Sequence, residues 1–116
     1  MKAILKEFNS DVQEAAKKTV ETVSKQAVRT LKDTSPKRKG KYARGWARKT
    51  EKGRLATTVT VYNRSSGQLT HLLEHGHVVR NKKGTYGRAP AIPHIAPVEE
   101  WVVEETPKRF EEELNK

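Results

Sequence analysis

The chain has 116 residues, of which 33% are charged, and its formal net charge at pH 7 is +10. A chain of this length supports one domain with a modest core, so we expect a single domain over residues 1–116. The absence of cysteine excludes a disulfide framework and a thiolate metal site. No stretch approaches the ~20 apolar residues that cross a bilayer, and the charged N-terminal segment predicts no signal peptide and no membrane partner.

Positive and negative charges are unevenly distributed along the chain. Residues 1–55 carry sixteen Lys or Arg against six Asp or Glu, whereas residues 95–116 carry three against seven. A basic body with an acidic end can pair head to tail with further copies, as a ring interface requires. The alternative interpretation is a solvated surface without a partner.

The first predicted element is a helix. Apolar residues recur every three or four positions from Leu5 to Leu31, and charged residues occupy the positions between them. This spacing predicts one amphipathic helix of about thirty residues. The segment 33–36 ends it, because Pro36 disfavours the helical conformation in the preceding residue.

Two strands are predicted next. Large and small residues alternate from Tyr42 to Arg48, which predicts the first strand, and residues 51–53 are typical of a hairpin turn. The β-branched segment 55–63 predicts the second strand. One face of that strand should carry Leu55, Thr57, Val59 and Val61.

Three further elements complete the chain. Residues 68–75 predict a two-turn helix that buries Leu69, Leu72 and Leu73 and ends at Gly76 in a left-handed conformation. Residues 78–87 predict a second hairpin or a mobile loop. Pro97 should begin a final helix that Pro107 kinks or breaks. The fold class is therefore α+β, with a long N-terminal helix packed on a small antiparallel sheet, a short central helix and a C-terminal helix.

Two short motifs, in this order of elements, carry a resemblance to a known family. The first is Leu73-Glu74-His75-Gly76, and the second is Pro93-His94-Ile95-Ala96-Pro97. With them the chain resembles the lambdoid-type family of phage neck proteins, also described as head–tail joining, tail-completion or minor tail components. That family more often has an aromatic residue at position 75 and phenylalanine at position 94.

The resemblance implies a structural protein of a tailed bacteriophage or prophage, and not an enzyme. It implies a homo-oligomeric ring at the head–tail junction, next to connector and tail proteins. The expected location is the neck or tail of the virion, after synthesis in the host cytoplasm. It implies no catalytic residues, and we expect no cofactor and no bound metal. The motif positions expected to matter for structure are Glu74, Gly76, Pro93 and Pro97.

The basic segments supply candidate contacts with partner proteins or with DNA in the channel. Residues 36–54 hold nine basic residues and one acidic residue, interleaved with Tyr42 and Trp46. Such interleaving is typical of nucleic-acid binding, although both aromatic residues also fit a core beneath the first helix. Any contact with the genome should be weak, non-specific and salt-sensitive. The candidate contact residues are Lys37, Arg38, Lys39, Lys41, Lys82, Lys83, Tyr86 and Arg88.

Four histidines leave other classes of function open. Zinc coordination or the acid–base chemistry of a ribonuclease-type toxin would use imidazoles, the latter with nearby cations. No spacing in the chain demands either, so structural or surface roles are the preferred interpretation. A small basic nucleic-acid-binding protein is the leading alternative to the phage assembly protein. The histidines are His71, His75, His77 and His94.

Overall fold

The described part of the chain forms four helices and five strands, and the first helix is the longest of these elements. The computed structural model describes residues 2–6, 10–37, 40–52, 56–81 and 84–116. In chain order the elements are β1 (Lys2–Lys6), α1 (Ser10–Thr34), α2 (Lys41–Arg44), β2 (Trp46–Lys52), β3 (Ala56–Asn63), α3 (Leu69–His75), β4 (His77–Asn81), β5 (Gly84–Ala89) and α4 (Ala96–Leu114). This order confirms the predicted α+β class. None of the helices in the described ranges is long and apolar enough to span a membrane.

The main sheet has three antiparallel strands in the order β1-β3-β2. The predicted pairing of β2 with β3 is confirmed, with Trp46 opposite Asn63 and Thr50 opposite Val59. The turn predicted at residues 51–53 is only partly described, because β2 runs to Lys52 and residues 53–55 lie outside the described residues. Val59 and Val61 are buried as the alternation predicts.

The prediction that the first helix starts near Leu5 was wrong. Residues Lys2–Lys6 form β1, which pairs with β3, and α1 begins only at Ser10. In the sequence, Leu5 continues the spacing of three or four residues between the apolar positions of α1. Periodicity alone therefore extends the predicted helix too far. The Asn-Ser-Asp sequence at 9–11 is of the type that favours a helix start, and it is the signal that marks the true boundary.

The strand predicted from Tyr42 was also wrong in its first half. Residues Lys41–Arg44 form a single helical turn that follows Gly40, whose φ is 77°. Tyr42 and Ala43 are both buried, and two consecutive buried residues do not fit a strand that has one covered face. The strand β2 begins at Trp46.

The core lies where α1, the β2–β3 pair and α4 meet. The side chains of α1 that enter it are Ala27 and Leu31, and Leu31 is fully buried. The cluster also contains Tyr42, Trp46, Val61 and Val98. Tyr42 and Trp46 therefore belong to the core. This agrees with the second interpretation of these aromatic residues, a place beneath the first helix, and not with stacking on nucleic-acid bases.

The short helix α3 is confirmed, and the prediction of its buried side is correct for Leu73 but wrong for Leu69 and Leu72. Leu69 and Leu72 are 37% and 38% exposed, whereas Leu73 packs against the core and Glu74 is buried. The helix is rotated in this way because Glu74 bonds to the start of α4, as described below. Gly76 follows the helix with φ 76° and ψ 170°, so its φ is positive as predicted, but its ψ is extended and leads directly into β4.

The strands β4 and β5 form the second predicted hairpin, with His77 opposite Ala89 and Asn81 opposite Gly84. They form their contacts mainly with each other. A side chain at Gly84 or Gly87 would meet no atom within 4 Å. The hairpin therefore extends away from the helices, and the molecule measures 62 × 25 × 20 Å.

The last helix, α4, is continuous from Ala96 to Leu114, with Pro97 in its first turn. Pro107 is predicted to kink or break the helix, and the break is not found, since Pro107 lies inside the continuous α4. Pro107 is exposed, and so is Val103, whose carbonyl group loses its helical N–H partner to the proline. Water can replace that bond on the solvent side, while Val98, Trp101 and Val102 hold the other side of α4 against the core.

The position of Leu31 predicts a large effect of truncation. Leu31→Ala should lower the free energy of unfolding by about 2–5 kcal/mol, because a cavity opens in the centre of the core. The matched control is Val103→Ala, at a residue that is 73% exposed, and it should change the free energy by less than about 0.5 kcal/mol. Urea unfolding followed by circular dichroism measures both. Equal effects of the two variants would contradict this description of the core.

Candidate functional site

The carboxylate of Glu74 binds the start of α4. Its Oε1 accepts hydrogen bonds from the backbone N–H groups of His94 and Ile95, both at 2.8 Å, and its Oε2 accepts one from Ala96 at 3.0 Å. The N-cap residue is Ile95, whose own side chain cannot accept a bond. Glu74 therefore replaces a local capping side chain and places a negative charge at the positive end of the helix dipole. We call this arrangement the Glu74 cap.

The ring of His94 is buried beside the Glu74 cap. Its Nδ1 lies 2.8 Å from the carbonyl oxygen of Ile92 and 3.1 Å from Oε1 of Glu74. Both neighbours are acceptors, so Nδ1 carries a proton. On the other side Nε2 lies 2.8 Å from the hydroxyl oxygen of Tyr42, which donates to it when the imidazole is neutral.

Three aromatic rings connect this network to the end of α1. The rings of Tyr42, Trp46 and His94 meet edge to face, with centroids 5.6–6.3 Å apart. Nε1 of Trp46 donates to Oγ of Ser35 at 2.7 Å, and Ser35 donates to the carbonyl oxygen of Leu31. One buried polar network thus joins the end of α1, the α2–β2 segment, α3 and the start of α4.

Burial and hydrogen bonding shift two pKa values in this network. Burial acts to raise the pKa of Glu74, but the three backbone N–H groups and His94 together outweigh it and hold that pKa below its usual value of 4.5. Burial, followed by the negative charge of Glu74, raises the pKa of Tyr42 to about 12. At neutral pH the network therefore holds a charged carboxylate and a protonated phenol.

The histidines are separated into two environments. His71 and His75 lie side by side on α3 with ring centroids 4.7 Å apart, whereas His94 is enclosed in the core. The side chain of His77 lies outside the described part of the chain. Within that part, no group of three or more potential ligands could hold a metal ion. The Glu74–His94–Tyr42 network is arranged to position helices, since its members are buried from any substrate.

A basic groove lies on the surface beside the aromatic rings. It encloses about 560 Å³, and the apolar side chains in its lining are Val28, Trp46 and Ala47. Arg48 is within 4.0 Å of Glu21, while the other four cations have no ion pair among the residues that the structure describes. The cations that define the basic groove are Lys32, Lys41, Arg44, Arg48 and Arg64.

The turn after β3 holds one wall of the basic groove in place. Nδ2 of Asn63 donates to the carbonyl oxygen of Tyr42 at 2.7 Å, and its Oδ1 accepts from the backbone of Ser66 at 2.9 Å. The backbone N–H of Arg64 donates to the carbonyl oxygen of Gly45 at 2.8 Å. These bonds bring Arg64 next to α2, although twenty residues separate Arg64 from Arg44 in the sequence.

The sequence-predicted contact residues are dispersed by the fold. Lys41 lines the basic groove, whereas Lys37 is exposed and donates to the carbonyl oxygen of Asp33. Arg88 is exposed at the base of the β4–β5 hairpin, with Nη2 3.4 Å from the carbonyl oxygen of His75. Tyr86 lies on β5, but its side chain is outside the described part. The candidates Arg38, Lys39, Lys82 and Lys83 lie outside the described residues.

The two motif segments that suggested the resemblance meet at the Glu74 cap. Besides Glu74 and His94, the structure places Gly76 where a Cβ atom would lie 2.7 Å from the carbonyl oxygen of Ala89. Pro97 lies in the first turn of α4, where it has no N–H group that needs an acceptor. Pro93 is exposed in the segment before α4. Sequence reasoning named these residues but did not predict the bond between Glu74 and the backbone twenty residues later.

The Glu74 cap predicts a pH-dependent contribution to stability. At pH 7, Glu74→Gln should lower the free energy of unfolding by about 1.5–3 kcal/mol, because three N–H groups lose a charged acceptor. The lowered pKa means that this contribution is present above pH 4.5 and is lost as the pH falls through the folded-state value. Urea unfolding between neutral and acid pH should show the wild-type and variant proteins converging. Glu100→Gln, at an exposed residue, is the control, and a difference for Glu74→Gln that stays constant with pH would disprove the assignment.

The raised pKa of Tyr42 predicts behaviour at alkaline pH. Tyr42→Phe should remove the tyrosinate absorbance that develops near pH 12. The pKa of tyrosine in the unfolded chain is about 10. The free energy of unfolding of the wild-type protein should therefore decline between about pH 10 and pH 12, and the variant should lack this part of the decline. At pH 7 the free energy of unfolding of the variant should be lower by about 1–3 kcal/mol, because Nε2 of His94 loses its hydrogen-bond donor. Tyr62→Phe, at a residue 37% exposed, should cost less than about 0.5 kcal/mol.

Comparison with known proteins identifies the family. The family described as "Bacteriophage HK97-gp10, putative tail-component" matches residues 1–76, from β1 through α3 and Gly76. No curated protein and no solved structure matches the chain. The matched region comprises 76 of the 116 residues and contains Glu74, while the β4–β5 hairpin and α4 follow it. The predicted kinship with phage head–tail and tail-completion proteins is therefore confirmed, and the chain belongs to this family of bacteriophage tail components, structural proteins of the virion.

Proposed function

We propose that this protein is a non-enzymatic ring subunit at the phage head–tail junction, where it completes the tail or forms part of the neck. The observation that carries the proposal is the shape of this tail-component family member. The β4–β5 hairpin makes few contacts with the other elements, and it extends from the body that the helices and the three-stranded sheet form. The outer strand edges of such a two-stranded hairpin can pair with an adjacent protein layer.

The candidate contact residues support this arrangement. Arg88 is exposed at the base of the hairpin, and Tyr86 lies on the same strand. In the proposed assembly these two residues, together with the basic segment that contains Lys82 and Lys83, contact a neighbouring connector or tail protein. Gly76 fixes the direction in which the hairpin leaves α3, because its φ of 76° disfavours any other residue.

Contact with nucleic acid is the second candidate function. The net charge of +10 and the basic groove favour it, because each phosphate contact releases counterions and strengthens binding at low salt. Within a neck ring this contact would be weak and independent of sequence. A free-standing nucleic-acid-binding protein would instead need high affinity at physiological salt.

The decisive experiment is deletion of the gene in the phage, with the protein supplied in trans. Lysates without the protein should contain separate filled heads and tails by electron microscopy, and wild-type protein should restore joined particles. Tyr86→Ala combined with Arg88→Ala should reduce the fraction of joined particles. His71→Ala combined with His75→Ala, which removes the exposed imidazoles, should restore joining fully. Joined, infectious particles formed without the protein would reject the proposal.

A further inference from the structure

The basic groove gathers five cationic side chains around one concave surface. Four of these cations lack an ion pair in the part of the chain that the structure describes, and no acidic side chain of that part lines the groove. Like charges held together around a concave surface raise the local positive potential and attract an anionic partner. The lining also contains apolar side chains, of which Val28 and Ala47 are partly exposed. A fitting partner therefore combines negative charge with apolar side chains.

The outer face of α4 has this combination. We define it by its exposed residues, which include five glutamates, one lysine and two large apolar side chains. Val103 is 73% exposed and Leu114 is 44% exposed, and both lie among the glutamates. The described ion pairs of α4 use other glutamates, Glu105 and Glu113. The outer face comprises Glu99, Glu100, Val103, Glu104, Pro107, Lys108, Glu111, Glu112 and Leu114.

A single copy of the chain does not bring these two surfaces together. No residue of α4 lines the basic groove, and the opposite side of α4 packs against α1 through Val98 and Val102. Glu99 and Val103 lie at the edge of the outer face, where they also line a pocket between α1, β3 and α4. The other four glutamates of the outer face are exposed and do not line that pocket. Each subunit presents one acidic surface and one basic surface, and four of the five groove cations have no ion pair among its described residues.

We infer that the outer face of α4 in one copy binds the basic groove of the next copy. This inference rests on the proposed ring and assigns the surfaces that build it. Because the two surfaces differ, the contact is heterologous, and its repetition closes a ring when the rotation between neighbouring copies divides a full turn evenly. The occupant is a second copy and not nucleic acid, since Val103 and Leu114 can contact the apolar lining residues Val28 and Ala47 and a phosphate backbone offers no such side chains.

The test exchanges charges between the two surfaces of the full-length chain. The groove variant carries Arg44→Glu and Arg64→Glu, and the helix variant carries Glu104→Lys and Glu111→Lys; all four positions are exposed. Each variant alone brings like charges together in the contact. Sedimentation equilibrium should show self-association weakened about tenfold or more for each. An equimolar mixture should regain wild-type association, because each groove then meets a helix of opposite charge.

The control variant carries Lys17→Glu and Lys49→Glu, which change the net charge by the same amount as the groove variant at exposed positions outside both surfaces. It should associate like the wild type. Wild-type association in both exchanged variants, a mixture that does not recover, or a wild-type chain that never self-associates would each overturn the inference. Loss of duplex DNA binding in the groove variant, with self-association unchanged, would assign the groove to nucleic acid instead. Any of these results leaves the proposed function to be decided separately by the gene deletion.

Discussion

The N-terminus of α4 presents N–H groups that no nearby side chain can accept, and the fold is organised around the distant carboxylate that accepts them. Ile95 occupies the N-cap position, so the acceptor has to come from elsewhere in the chain. Glu74 supplies it from the end of α3 and also bonds to the ring of His94. Because a buried carboxylate is costly without donors, this cap is specific to one arrangement of α3 and α4.

The rotation of α3 follows from the same bond. Turning Glu74 inward places Leu73 against the core and leaves Leu69 and Leu72 more than a third exposed. Turning it outward would bury those leucines, but it would leave the start of α4 without an acceptor. In this orientation α3 forms three charge-assisted hydrogen bonds but leaves Leu69 and Leu72 partly exposed. This agrees with the greater strength of hydrogen bonds to charged groups.

The limits of sequence-based prediction follow from the range of the interactions. Helical periodicity and β-branched residues are local signals, and they located α1, β3 and α3. They failed at Leu5 and Tyr42, where a β1–β3 pairing and a turn after Gly40 override the local pattern. The motif residues Glu74 and His94 were singled out, but their bond was not foreseen. No local rule connects a carboxylate with a helix start twenty residues later. The same limit applies to the basic groove, because Arg64 reaches Arg44 only through the Asn63 turn.

The Glu74 cap also connects stability with the surfaces available for assembly. By fixing the start of α4 against Tyr42 and the end of α1, it determines which side of α4 faces the core and which glutamates face outward. The buried network uses one carboxylate, so nearly all the remaining charge is left for the surface. Glutamate and arginine side chains do not titrate near neutral pH, and contacts between them respond to salt more than to pH. In the proposed ring, ionic strength therefore governs how strongly the charged surfaces of neighbouring copies attract one another.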